Sequence, residues 1–313
     1  MRLTPFFFAA GLLAILPLST HAKIVRVIEK SFAVQPGGLL TVETQGGNIQ
    51  VEAWDQPTVK VTATQTLKTD SESEADELLK KLALTIEQEG SGITAKARYE
   101  KRATGFMWGS WPPVQVSFVV SVPSRYHATL KTSGGNVRVG NLGGNLDART
   151  SGGNIELGKI TGDVEAHTSG GDVRLAEGSG TVKLATSGGN ISVERAKGPT
   201  ELKTSGGDIR ITSVENILLA STSGGNVTAG LAGALKGDCV LETSGGNVRA
   251  HVSPAAAFRL EATTSGGNAK AEGLSFVAEE SRPHRSRLTG NVNGGGPLLK
   301  LRSSGGDVVV AAK

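Results

Sequence analysis

The chain has 313 residues, with 33 Lys and Arg against 29 Asp and Glu, a formal net charge of +4 and only 4% aromatic residues. Its charges are interspersed and near balance, which argues against the clustered basic face of a nucleic-acid-binding module. The one cysteine, Cys239, excludes an intrachain disulfide.

The first 22 residues read as a secretory leader. Arg2 supplies a short positive region, Phe6 to Leu18 an apolar core, and Thr20-His21-Ala22 a small-residue cleavage site before Lys23. The apolar stretch is short and broken by Pro17, unlike a membrane span, and no Cys stands at the cleavage point to carry a lipid. Removing Arg2 with the leader takes the charge from +4 to +3. The expected mature chain is exported to the periplasm or cell surface and has no transmembrane segment.

Residues 23–127 read as a small α+β capping module. Ile24 to Val34, Leu39 to Val51 and Val59 to Thr66 alternate as strands, and Gln45-Gly46-Gly47-Asn48 within the second is an outlying copy of the Gly-Gly corner that repeats after residue 128, with Leu40, Val42, Ile49 and Val51 in the same register. Asp70 and Ser71 can cap a short helix through Leu82, with acids early and Lys80-Lys81 late, as the helix dipole prefers. Strands resume at Leu84 to Gln88, Ile93 to Tyr99 and Val114 to Val122. Between the last two, Gly105 to Pro113 holds Phe106, Trp108 and Trp111 in a Gly/Pro-rich loop. These aromatics suit either a cover over the end of the fold or a surface for sugars or a membrane interface.

From residue 128 to 313 the sequence repeats. Ser-Gly-Gly followed by Asn or Asp occurs at Ser133, Ser151, Ser169, Ser187, Ser205, Ser223, Ser244, Ser265 and Ser304, in steps of 18, then 21, then 39 residues. A fixed short period marks stacked units that cannot bury an apolar face alone. Apolar residues recur five and three before each serine (Leu146, Ala148) and four and six after it (Ile155, Leu157). These two period-2 stripes flank a glycine corner, the pattern of half-buried strands. The Gly-Gly pair is expected to supply positive φ at the corner, and Asn or Asp to tolerate left-handed geometry. A third side runs through Leu142, Ile160, Ala196 and Val214. The fold expected is all-β, a β-solenoid (β-helix) of about nine coils with 18–21-residue repeats, the coils stacked at ~4.8 Å each. The 39-residue step implies an insertion near 274–290.

Outward positions carry neighbouring acidic and basic columns, so the faces are expected to be mixed and near neutral. Three places break that pattern. Leu219 and Val240 are apolar at an outward position on adjacent coils, Arg282, Arg285 and Arg287 cluster in the insertion, and the aromatic loop holds Phe106, Trp108 and Trp111. The histidines are scattered, and no HExxH, GxSxG or Walker loop occurs. Calcium β-rolls repeat GGxGxDxUx, whereas each coil here offers one mostly neutral Asn or Asp. Catalytic, cofactor-binding and metal-binding residues are therefore expected to be absent.

The chain resembles the bacterial exported proteins grouped as putative adhesins with β-strand repeats. The likeness rests on Phe32 to Leu39, Gly46-Gly47-Asn48-Ile49, Val119 to Pro123 leading into Leu130 to Val137, and Leu288 to Pro297 followed by Ser304 to Val308. It implies a solenoid at the cell envelope and carries no catalytic residue with it. The function expected is a non-enzymatic, adhesin-like scaffold or binding module, with an envelope protein or a glycan as partner and with edge-to-edge self-association open to it. The competing reading is a carbohydrate-binding or carbohydrate-active β-helix using the aromatic loop or the basic insertion.

Overall fold

The computed structural model describes residues 23–100, 113–281 and 286–313. The leader, the Phe106–Trp111 aromatics, Arg282 and Arg285 lie outside the described residues. The two apolar stripes become two long sheets, one of 13 strands and one of 14. Along the regular coils each strand pairs in parallel with its equivalents in the coils on either side. Ile155 pairs with Val173, Val173 with Ile191 and Ile191 with Ile209 in one sheet, and Leu146 with Val164 and Val164 with Val182 in the other. The side chains of Val137, Ile155, Val173, Ile191 and Ile209 are all buried, as one column of a core that continues through both sheets. The third side also stacks, Ile160 on Gly178 and Gly178 on Ala196. The chain is thus an all-β solenoid whose inward residues make one long core.

The corner glycines are not there for positive φ. Among the described residues, positive φ at glycine occurs only at Gly37, Gly90, Gly233, Gly273 and Gly294 to Gly296, none of them in a repeat corner. The second glycine of each corner is instead required by close approach. A β carbon on Gly153 would sit less than 3.0 Å from the Gly135 carbonyl, and one on Gly171 would meet the Gly153 carbonyl in the same way. The first glycine has more room, with nothing nearer than 3.8 Å at Gly152.

The rod begins before the regular array. Leu39–Thr44 pairs with His127–Thr132, and Ile49–Trp54 pairs with Val137–Val139, so the Gly46-Gly47-Asn48 corner is a coil in register with the rest. Beyond it Gly92–Tyr99 and Val114–Pro123 add one more strand to each sheet in parallel. Antiparallel strands then close the series, Leu82–Glu89 in one sheet and Thr58–Leu67 with Ile24–Ala33 in the other. The helix, Glu72–Leu79, is capped by Ser71, whose Oγ accepts from the Glu74 amide at 3.4 Å. Arg26 on the edge strand pairs with Glu72 and Asp76 and fastens that helix. Tyr126 is fully buried and its hydroxyl donates to the Ser91 carbonyl.

At the other end the coils do not stack in chain order. The last coil, Leu298–Ser303 and Val308–Ala312, lies between the coil of Cys239–Thr243 and Val248–Val252 and that of Phe258–Thr264 and Ala269–Glu272. The strands Phe276–Ser281 and Arg287–Val292 form an antiparallel hairpin, with Arg287–Val292 against the outer edge of Phe258–Thr264. With that edge occupied by the hairpin, the final strand pairs on the inner edge. The Leu298 amide donating to Asp238 Oδ1 at 2.8 Å and the Lys300–Glu242 ion pair at 3.7 Å fix it there.

Candidate functional site

The threonines and the Asn or Asp residues of the repeat are engaged by the fold. Each threonine before the serine is buried, and its hydroxyl donates to a glycine carbonyl of the neighbouring coil: Thr150 to Gly135, Thr168 to Gly153 and Thr186 to Gly171, each at 2.8 Å. The same oxygen accepts from its own corner, as from the Gly171 amide to Thr168 at 3.3 Å. Asn and Asp make a second ladder. Oδ1 of Asn136 accepts the Asn154 amide, Asn154 the Asp172 amide and Asp172 the Asn190 amide, at 2.8 to 2.9 Å. The donors are mostly backbone amides, so the ladder ties the side chain of one coil to the main chain of the next. Thr168→Val keeps the shape but leaves the Gly153 carbonyl and the Gly171 amide without that partner. It is expected to destabilise by about 1–3 kcal/mol, measured by denaturant unfolding of the variant and parent.

Beside the Asn/Asp ladder runs a shallow cleft of about 700 Å³ over the outward face of the 13-stranded sheet. Cations stand on alternate coils: Arg174 beside Ser192, Ser192 beside Arg210, Arg210 beside Thr228, Thr228 beside Arg249. Arg174, Arg210, Arg249 and Lys270 share the cleft with Asp172, Asp208, Glu272 and Asp307, four cations with four carboxylates. Arg174 is bonded to Asp172 at 2.7 Å, and Arg138 to Glu156 at 2.6 Å. Both pairs are solvent-exposed, where an ion pair contributes about 0–1 kcal/mol. The cleft is polar and balanced, with no single-sign field to draw a ligand.

Among the described residues no three His, Cys, Asp or Glu side chains gather to hold a metal ion. One mostly neutral Asn or Asp per corner is too few for a hard cation that takes six to eight oxygens. Thermal melts in millimolar calcium and in chelator are expected to coincide, and a calcium-dependent rise in melting temperature would contradict this.

The outward apolar pair is brought together. Leu219 and Val240 are cross-strand partners, Leu219 exposed and Val240 half-buried. Glu201 and Lys300 flank them on the next coils, and Ile217, also exposed, lies two residues from Leu219. Arg287 is exposed on the hairpin, opposite Thr263. The structure does not bring this arginine and the Leu219–Val240 pair onto one strand: they are separated by the strands Leu298–Ser303 and Phe258–Thr264. Phe106, Trp108, Trp111, Arg282 and Arg285 fall outside the described residues.

Sequence reasoning passed over other exposed apolar residues. Val25 and Val27 on the edge strand and Val119 on Val114–Pro123 are exposed on the outer face of the N-terminal end. The signal was present in Ile24-Val25-Arg26-Val27-Ile28, where apolar residues occupy both strand faces. Cys239 is wholly buried in an inward column, and burial raises its thiol pKa, so it packs as a small hydrophobe.

The family model Toastrack DUF4097 matches residues 39–311. Among curated proteins nothing matches the chain. Among solved structures, a "putative adhesin" from Bacteroides fragilis NCTC 9343 is similar at 12% identity, covering 92% of this chain and 97% of its own, with a TM-score of 0.40. A "putative adhesin" from Parabacteroides distasonis ATCC 8503 stands at 14%, 91%, 97% and 0.40. A "putative lipid binding protein" from the same strain stands at 13%, 90%, 96% and 0.39.

Proposed function

This chain belongs to the Toastrack DUF4097 family, and from that premise we propose that it is a non-enzymatic, exported scaffold of the cell envelope that binds a partner through its irregular surfaces. The observation that carries the reading is the engagement of the repeated threonines and Asn or Asp residues in the fold itself. Threonine hydroxyls and Asn or Asp oxygens join coil to coil, and of what stays exposed the motif serines are small and uniform, so the larger surfaces that differ from coil to coil are the ones that face a partner.

In this reading residues 1–22 direct export, residues 23–127 cap the first regular coil, and residues 128–313 form the binding rod at the periplasm or cell surface. The partner is an envelope protein or a glycan, met at the Leu219–Val240 patch, at the Phe106–Trp111 aromatics or at Arg282, Arg285 and Arg287 of the insertion. A long single core suits such a role, because it holds separated contacts at fixed distances.

The test is capture from an envelope extract of the source organism by the immobilised mature chain, alongside a glycan array. Leu219→Asp/Val240→Asp, Trp108→Ala/Trp111→Ala and Arg282→Ala/Arg285→Ala/Arg287→Ala are compared with the parent. One of the three is expected to lose binding at an unchanged melting temperature. Retention by all three, with loss from changes at Thr150, Thr168 and Thr186 that leave the fold intact, would overturn the reading. A glycan hit lost with the tryptophans would identify the partner as carbohydrate.

A further inference from the structure

The C-terminal coil is placed out of order, and the two connections that allow it cross. Residues 253–257 carry the chain from Val252 to Phe258, past the slot that the last coil fills. Residues 293–297 carry it from Val292, outside the Phe258–Thr264 strand, to Leu298 on its inside. Val292 stands opposite Phe258 and Leu298 opposite Arg259, so both connections pass the same strand end. Crossing connections on one edge of a sheet are avoided in most folds. Here the crossing is held by Asn293, whose Nδ2 donates to the Pro254 carbonyl at 2.8 Å and the Ala256 carbonyl at 2.9 Å. Asn293 has φ of 48° and is followed by Gly294, Gly295 and Gly296, all at positive φ, so the hinge is a run built for a sharp reversal.

Besides the Leu298–Asp238 and Lys300–Glu242 contacts, the bonds that seat the inserted coil are the general bonds of the repeat. Ser303 Oγ donates to the Gly246 carbonyl and the Asp307 amide to Asn247 Oδ1, both at 2.7 Å. On its other side Thr264 Oγ1 donates to the Gly306 carbonyl and the Asn268 amide to Asp307 Oδ1, again at 2.7 Å. Remove the insert, and Thr264 and Asn268 present to Gly246 and Asn247 the same groups that Ser303 and Asp307 present now. The slot can therefore close without leaving a ladder group unpaired. It can equally be filled by the same segment from another molecule, with every bond reproduced.

We propose that residues 298–313 are an exchangeable insert whose partner is a second copy of this chain, two molecules trading the coil so that each completes the other's slot. The swapped and unswapped forms share their contacts, so the balance between them rests on protein concentration and on the hinge. Asn293 is the latch that favours the unswapped form. The idea goes beyond the binding-scaffold reading and stands or falls without it, since no envelope partner enters the test.

The test uses the mature chain in a Cys239→Ala background. Isotope-labelled Arg249→Cys chains are mixed at high concentration with unlabelled Val309→Cys chains, positions that are cross-strand partners. The mixture is warmed to just below the melting temperature, cooled and oxidised. A mixed-isotope peptide linking positions 249 and 309 is expected in a species of dimer mass by light scattering. Asn293→Ala should raise its yield severalfold, and deleting Gly294 and Gly295 should move most of the chain into the dimer. The proposal is overturned if the Arg249→Cys/Val309→Cys chain links internally in full while the mixture gives no mixed peptide, with Asn293 intact or replaced. Dimers in which the linked peptide never mixes isotopes would overturn it as well. If the shortened hinge does not fold, the mixing experiment with the full-length hinge still decides.

Discussion

Gly153→Ala is expected to destabilise the protein by about 3 kcal/mol, the upper end of the usual cost of overpacking, while Gly152→Ala, one residue away, leaves it unchanged or slightly more stable. Both are corner glycines with ordinary φ. At Gly153 a β carbon would run into the Gly135 carbonyl of the coil below, with the carbonyl carbon and the Asn136 amide also closer than 3.0 Å. Those atoms belong to a main chain tied on both sides, by Thr150 Oγ1 donating to the Gly135 carbonyl and by the Asn136 amide donating to Asn48 Oδ1. Neither can swing aside as a flexible side chain would. Making room means parting two coils that parallel pairing holds at ~4.8 Å. At Gly152 the nearest atoms lie at 3.8 Å, an ordinary contact. There the methyl group restricts the unfolded chain, a gain of about 0.4–1 kcal/mol. Chemical denaturation of the two variants separates the effects. Equal losses at both positions would mean that the corner needs glycine for its backbone angles.

Ile191→Ala is expected to cost roughly 2–5 kcal/mol, the range for a large aliphatic side chain removed from a packed core. Ile191 is 1% exposed and stands between Val173 and Ile209 in one inward column. Its neighbours are pinned at fixed register by ladder bonds above and below, with the Val173 amide bonded to the Asn190 carbonyl and the Ile191 amide to the Asp208 carbonyl, both at 2.9 Å. They cannot collapse far into the space left behind, which favours the upper part of the range. Ser192→Ala, on the outward face next door, should stay within about 0.5 kcal/mol of the parent. A melt of Ile191→Ala that overlays the parent would contradict the stacked-core account.

Much of this fold is legible in the sequence because each inward column repeats a residue class at a fixed distance from the serine. That distance places Ile155, Val173 and Ile191 on one stripe, and it also identifies Gly46-Gly47-Asn48 as a coil of the same array. The reason for the glycines is not legible. Close approach and positive φ both select glycine, and only the position of Gly135 relative to Gly153 distinguishes them. Coil order is not legible either, for a deeper reason. Every coil offers the same hydroxyl, amide and carbonyl to its neighbours, so the ladder bonds are satisfied in any order. The specific contacts of Leu298 with Asp238 and of Lys300 with Glu242 bridge 60 and 58 residues of sequence with no local pattern to announce them. For the candidate surfaces, the outward apolar match of Leu219 with Val240 is visible once the 21-residue step is aligned. The exposure of Val25, Val27 and Val119 is not, because alternation gives no inside or outside to a strand that is apolar on both faces.

The placement of the last coil is the most specific claim about this molecule, and paired cysteines test it directly. In a Cys239→Ala background, Glu242→Cys/Arg302→Cys joins residues that are cross-strand partners in the inserted order. Glu242→Cys/Thr263→Cys joins residues that would be partners only if the coils followed chain order, since Thr263 is instead paired with Arg302. A disulfide needs Cα atoms about 4.4–6.8 Å apart, which adjacent parallel strands provide and strands one coil further apart do not. Mild oxidation should close the 242–302 pair rapidly and leave the 242–263 pair open. Rapid closure of the 242–263 pair, with the 242–302 pair open, would show that the coils stack in sequence and that the inserted coil described above is wrong.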